Sequence, residues 1–235
     1  MKFAIIAAGE GSRLSQEGVT QPKPLVRIGG EAMIDRLLRI FAANDADEIV
    51  VIVNRLHPET EHHLRLLQAG SWRGRLRIVV KTTPSSMHSF FEISPFLSDA
   101  PFCLTTVDTI FREEEFADYI EQFRRSTADG LMAVTDFIDD EKPLYVGTDN
   151  DLNITGFFDE NKDCQYISGG IYCLQPQAIE TLRRCVASGQ SRMRNFQRQL
   201  VKDGLALRAH VFSKILDVDH ATDIRKAESF LSHAG

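Results

Sequence analysis

The sequence predicts an α/β fold in a single domain over residues 1–235, a mostly parallel sheet flanked by helices with a small antiparallel hairpin. Three observations carry this. Short apolar runs rich in β-branched residues alternate with segments whose apolar residues recur at helical spacing. The first run, at 3–8, stops at Gly9 and Gly11, and ligands of open α/β sheets gather outside such strand ends. The length of 235 residues allows a sizeable single core, and 43% hydrophobic with 26% charged residues is an ordinary globular composition.

In order, Phe3-Ala4-Ile5-Ile6-Ala7-Ala8 reads as a buried strand. Leu25 to Ile28 is a short strand ending at Gly29-Gly30. Met33, Ile34, Leu37, Leu38 and Phe41 give an amphipathic helix over 31–43. A strand follows at 48–53, then a helix over 59–69 with His57, His62 and His63 around its start; without cysteines or paired carboxylates they read as exposed helix histidines. Strands are expected at 76–80 and 102–107, with a hydroxyl-capped helix between them from about Ser86 toward Leu97. A helix over 113–125 and a strand over 130–137 come next. Residues 144–149 and 152–158 flank the Asn150-Asp151 turn as a hairpin. Tyr166 to Tyr172 is a strand whose Gly169-Gly170 leaves room for a ligand or another backbone. Helices at 177–187 and 191–202, a strand at 205–211 and a last helix over 221–231 complete the chain. Arg192, Arg194 and Arg198 read as a solvated basic face, with phosphate binding the alternative.

The net charge of −6 argues against broad nucleic-acid binding but permits a local basic pocket. Cys103, Cys164, Cys173 and Cys185 show no metal spacing; Cys103 and Cys173 fall in strand-like runs as buried thiols, and a reducing cytoplasm is the expected compartment. No run reaches the length of a membrane span. Neither repeats nor long linkers divide the chain.

The chemistry concentrates at the start. Glycine has no Cβ, so the amides at Gly9 and Gly11 can approach an anion closely, and Arg13 adds a fixed charge suited to phosphate. Pro22-Lys23-Pro24 holds one lysine in restrained, extended backbone. The glycines lack the third glycine of the dinucleotide fingerprint and the Gly-Lys-Ser/Thr ending of the P-loop. The combination Ala-Ala-Gly-x-Gly-x-Arg-Leu, a spacer over 15–21 and Pro-Lys-Pro-Leu resembles the N-terminal signature of the sugar-phosphate nucleotidyltransferases, which include thymidylyl-, uridylyl-, cytidylyl- and guanylyltransferases.

That resemblance implies a Rossmann-like fold with a nucleotide-binding half over 1–110 and an acceptor-binding half over 111–235. It implies that Ala8, Gly9, Gly11 and Ser12 meet the nucleotide, with Arg13 and Lys23 catalytic. Ser85, Ser86 and Ser89 are base or ribose contacts in a segment similar to the cytidylyl branch, or else a plain turn and cap. Asp108, at the end of its strand, resembles the family's metal-binding aspartate, although Val107 stands where members often carry glycine. A second Mg2+ ligand is either Asp217 or Asp219. Gly169 and Gly170 match a step lining the acceptor sugar. The family's Glu-Lys-Pro step after the hairpin is missing: Glu160-Asn161-Lys162 is the nearest segment, so Lys162 is the candidate for the acceptor phosphate.

The implied reaction is attack by an acceptor phosphate on the α-phosphorus of a nucleoside triphosphate, with a sugar 1-phosphate favoured as acceptor and phosphocholine second. Two other classes compete. A glycosyltransferase shares the fold and has an Asp-x-Asp motif, but that motif normally follows a middle strand. A non-catalytic nucleotide sensor would not require Arg13, Lys23 and Asp108 together.

Overall fold

The structure of the protein, a computed structural model, describes residues 1–139 and 142–232. Parts of the expected acceptor half, 140–141 and 233–235, therefore lie outside the described residues. The first half runs β1 (Lys2–Ala7), α1 (Ser12–Gln16), β2 (Arg27–Ile28), β3 (Glu31–Ala32), α2 (Met33–Ala43), β4 (Ile49–Val53), α3 (Pro58–Ala69), β5 (Leu76–Val80), α4 (Ser86–Ile93), β6 (Phe102–Thr106) and β7 (Thr109–Ile110). The second runs α5 (Glu113–Arg125), β8 (Gly130–Thr135), β9 (Tyr145–Thr148), β10 (Ile154–Phe158), β11 (Tyr166–Leu174), α6 (Ala178–Ala187), α7 (Met193–Lys202), β12 (Leu207–Val211), β13 (Leu216–Asp217) and α8 (Ala221–Ser232).

The central sheet follows the order β10-β9-β11-β6-β1-β4-β5, with β8 paired to β11 and β12 beyond β8. Tracing the pairings, only β11 and β10 oppose the common direction, so the sheet is mostly parallel and the hairpin sits at one edge, as expected. Strands buried on both faces read as unbroken apolar runs. Phe3, Ile5, Val51 and Val53 face a layer formed by α2, α3, α5 and α8. Ala4, Ile6, Val50 and Ile52 face α4, α6 and α7. Cys103 and Cys173 are buried free thiols on opposite, paired positions. Among the described residues no helix is long and apolar enough to cross a membrane.

One early element differs from expectation. Residues 25–28 are not a continuous strand: Lys23–Leu25 forms a 3-10 turn, and only Arg27–Ile28 pairs, with Glu31–Ala32. Pro22 and Pro24 set the φ values of that turn and remove two backbone donors, which suits a tight turn better than a ladder. The turn aims Lys23 back at the loop after β1, where its Cβ faces Gly11.

β11 carries a register shift against β8 between Ser168 and Tyr172. Gly170 adopts φ +73°, and a Cβ on Gly169 would collide with the Ile215 side chain. The space left by Gly169 is thus filled by another segment of the chain, the one that leads into β13. Tyr119 steadies this irregular stretch: its buried hydroxyl donates to the Leu131 carbonyl at 2.6 Å and accepts from the Cys173 N–H at 2.8 Å.

Candidate active site

The carboxyl ends of β1, β5 and β6 open on one cleft of ≈ 520 Å³. Its floor is the loop after β1, with Ala8, Gly9, Gly11, Ser12 and Arg13 all on its wall. Gly11 adopts φ +63°, and a Cβ there would stand 3.0 Å from Lys23 Cβ, so this position needs glycine on two counts. Ser85, Ser86 and Ser89 line the far wall beside Thr83. Ser85 caps α4, accepting from the His88 N–H at 3.4 Å, while the buried Ser89 hydroxyl lies 2.6 Å from that of Thr83. The capping alternative thus holds for Ser85, and all three serines border the cleft.

Charges from three distant parts of the chain meet at its mouth. Lys23 Nζ contacts Asp108 Oδ2 and donates to Asp219 Oδ1 at 2.7 Å. Arg13 Nη1 donates to Asp219 Oδ2 at 2.9 Å. Burial works to lower the pKa of the Lys23 ammonium, but Asp108 and then Asp219 outweigh it and hold the value raised. The second oxygen of Asp108, Oδ1, is buried without a hydrogen-bond partner among the described residues. Buried carboxylate oxygens are rarely left so. It is a ready ligand position for a hard cation, although no group of three or more His, Cys, Asp or Glu side chains forms a metal cluster among the described residues.

Backbone pairing explains how the late aspartates arrive here. β13 runs antiparallel to β7, with Asp217 opposite Thr109, and the Val218 N–H donates to the Asp108 carbonyl at 3.1 Å. Asp219 then falls beside Lys23. The start of α8 is tied to α1 by Glu17, whose carboxylate lies 2.6 Å from His220 Nδ1 and accepts from the Ala221 N–H at 2.6 Å. The hydrogen bond to His220 pulls the Glu17 carboxyl below its ordinary range and raises the imidazole.

A second cleft of ≈ 450 Å³ shares Arg13 and Asp219 with the first. Asp217 and Gly169 border it, as do Lys142, Lys226 and Arg194. Arg194, on α7, donates to Asp159 at 2.5 Å and to the Lys142 carbonyl at 3.0 Å. Gly170 borders neither cleft. Lys162 stands apart, its ammonium 4.8 Å from the centre of the Phe158 ring, in a hollow that shares no residue with either cleft. The signal for Lys142 lies in the sequence itself: Glu141-Lys142-Pro143 is the Glu-Lys-Pro tripeptide, placed before the hairpin instead of after it.

The profile of the MobA-like NTP transferase domain matches residues 3–205. Among curated proteins, mannose-1-phosphate guanyltransferase of Yarrowia lipolytica is 26% identical over 191 residues, covering 77% of this chain and 51% of that protein. Glucose-1-phosphate cytidylyltransferase of Salmonella typhimurium is 33% identical over 51 residues, 22% of this chain and 20% of that one. The chain spans about half the length of the guanyltransferases it matches. Two solved structures share the fold: inositol-1-phosphate CTP transferase from T. maritima, with TM-score 0.81, 16% identity and coverage of 99% and 96%, and CTP:phosphocholine cytidylyltransferase from Streptococcus pneumoniae, with TM-score 0.77, 18% identity and coverage of 98% of both chains.

Proposed function

From the premise that this chain belongs to the MobA-like NTP transferase domain family, we propose that it moves a nucleoside monophosphate from a nucleoside triphosphate to a phosphorylated acceptor, releasing pyrophosphate. The observation that carries the reading is the meeting of Arg13 and Lys23 with Asp108 and Asp219 at the carboxyl ends of the parallel strands. In this reading the amides of Gly9 and Gly11 and the Arg13 guanidinium hold the β- and γ-phosphates. Lys23 leans on the α-phosphate, where charge builds on the equatorial oxygens as the acceptor attacks in line. Asp108 and Asp219 keep Lys23 charged and aimed until substrate arrives.

Mg2+ fits the residues present. Asp108, whose Oδ1 has no hydrogen-bond partner among the described residues, and Asp219 would hold it, in keeping with a cation that takes one or two carboxylates and keeps waters. When bound it supplies a positive charge that neutralises the phosphate oxygens. Asp217 borders the acceptor side instead.

The acceptor belongs in the second cleft, because that cleft joins the first through Arg13 and Asp219. Its phosphate goes to Arg194 and Lys142, and Lys162 is left to the separate hollow. A sugar 1-phosphate is favoured because the relatives named above act on mannose 1-phosphate and glucose 1-phosphate. Pyrophosphate release, measured with a panel of triphosphates crossed with sugar 1-phosphates and phosphocholine in the presence of magnesium, tests this. Release that needs both substrates is the expected result. Glycosyl transfer from a nucleotide sugar without pyrophosphate, or nucleotide binding with no turnover, overturns it.

A further inference from the structure

Asn54, the first residue past β4, is 2% exposed and has both ends of its side chain engaged. Its Oδ1 accepts from the Leu56 N–H at 3.0 Å and from the Thr82 hydroxyl at 2.7 Å, and its Nδ2 donates to the Ala8 carbonyl at 2.9 Å. A backbone N–H can face only the oxygen of the amide, so Leu56 fixes the orientation and leaves the nitrogen for Ala8. Three residues on, His57 Nε2 lies 3.1 Å from the Glu10 carbonyl. A carbonyl only accepts, so that ring nitrogen carries the hydrogen.

These two bonds have a geometric consequence. In a planar trans peptide the carbonyl of one residue and the N–H of the next point in opposite directions. Drawing the Ala8 and Glu10 carbonyls toward the segment after β4 therefore turns the N–H groups of Gly9 and Gly11 the other way. Both glycines border the main cleft, and neither N–H has a hydrogen-bond partner among the described residues. Asn54 and His57 do not border it. Glycines at a strand end otherwise sample many conformations, and ordering them at the moment of binding would cost affinity.

We propose that Asn54 and His57 are positioning residues that brace the glycine loop from behind, presetting the Gly9 and Gly11 amides for the outer phosphates of the triphosphate. This rests on the reading of the main cleft as the triphosphate site. The brace touches no substrate; it acts by holding two peptide planes.

The test uses the full chain and compares His57→Ala, His57→Gln and Asn54→Asp with the unaltered protein, by calorimetric titration with inorganic pyrophosphate, a nucleoside triphosphate and the matching monophosphate. His57→Ala should weaken pyrophosphate and triphosphate binding about tenfold, the worth of losing roughly one good hydrogen bond, and change monophosphate binding less than about twofold. His57→Gln, which restores a side-chain N–H, should recover most of the loss. Asn54→Asp keeps an acceptor for Leu56 and Thr82 but sets a carboxylate against the Ala8 carbonyl, and should show the same selective loss. Should Asn54→Asp fail to fold, the His57 pair still decides, since His57 is only half-buried. Unchanged pyrophosphate affinity in His57→Ala, an equal loss for monophosphate and triphosphate, or no recovery with glutamine overturns the brace. If the unaltered protein binds neither triphosphate nor pyrophosphate, the reading of the cleft falls first and the brace with it, so the two failures are distinguishable.

Discussion

Replacing Lys23 by alanine separates chemistry from architecture. The Lys23 side chain is 11% exposed and its ammonium touches Asp108 and Asp219, so the substitution removes a desolvated charge from the point where the α-phosphate is proposed to sit. A unit charge about 4 Å from a phosphate oxygen is worth ~4 kcal/mol at an effective dielectric constant of ~20. Part of that attraction already exists in the bound triphosphate and does not speed the reaction. The remainder, set at about 2.7 kcal/mol, corresponds to a loss of ~10²-fold in turnover. The same change strands Asp108 and should lower folding stability by about 2 kcal/mol, less than for a fully buried pair because Asp219 is 43% exposed. Steady-state pyrophosphate release and urea unfolding measure the two effects. Pairing Lys23→Ala with Asp108→Asn should restore stability but not turnover. Turnover within about threefold of the unaltered protein would refute the assignment of Lys23 to the reaction.

Three further outcomes follow from single contacts. Gly11→Ala should raise the KM for triphosphate about tenfold in steady-state kinetics, because a left-handed φ costs ~1 kcal/mol or more for alanine and its Cβ presses on Lys23. Tyr119→Phe should cost ~1–3 kcal/mol in urea unfolding, since the Leu131 carbonyl and Cys173 N–H both lose a buried partner, while turnover stays unchanged. Burial pushes the His210 pKa down, only partly opposed by Asp118 and Glu115, so the folded state resists a proton that the unfolded chain takes up below about pH 6.5. Stability should therefore fall as pH drops below that value, and His210→Gln should flatten the fall when melting is compared at about pH 7.5 and about pH 5.5.

Where the sequence spoke clearly, the signal was local. The strand at 3–8, the glycine pair, Arg13 and the proline-braced Lys23 are contiguous, and each residue type limits its own backbone or charge. Asp108 was legible one step further out, because an acid closing an apolar strand has a known place in an α/β sheet. The choice of neighbour for Lys23 was not legible. Asp217 and Asp219 are two apart in an extended segment, and only the two-residue pairing of β13 with β7 decides that Asp219 meets Lys23 and Arg13. The same is true of Arg194, whose spacing on α7 matches a solvated face while its hydrogen bonds to Asp159 and the Lys142 carbonyl hold it at the second cleft. His57 read as an exposed histidine near a helix start; its contact with the Glu10 carbonyl spans two loops that have no pattern in common. Gly169 leaves space that the sequence shows, but what fills that space, Ile215, comes from a segment far along the chain.

The proposed reaction requires that Arg13 and Lys23 leave the carboxylates for a triphosphate held on the glycine loop. A crystal structure of the chain with magnesium and a non-hydrolysable nucleoside triphosphate tests it most directly. The account predicts outer phosphates on the Gly9 and Gly11 amides and Arg13, with Lys23 on the α-phosphate. A triphosphate bound elsewhere, or one bound in the cleft while Lys23 stays locked between Asp108 and Asp219, would contradict it.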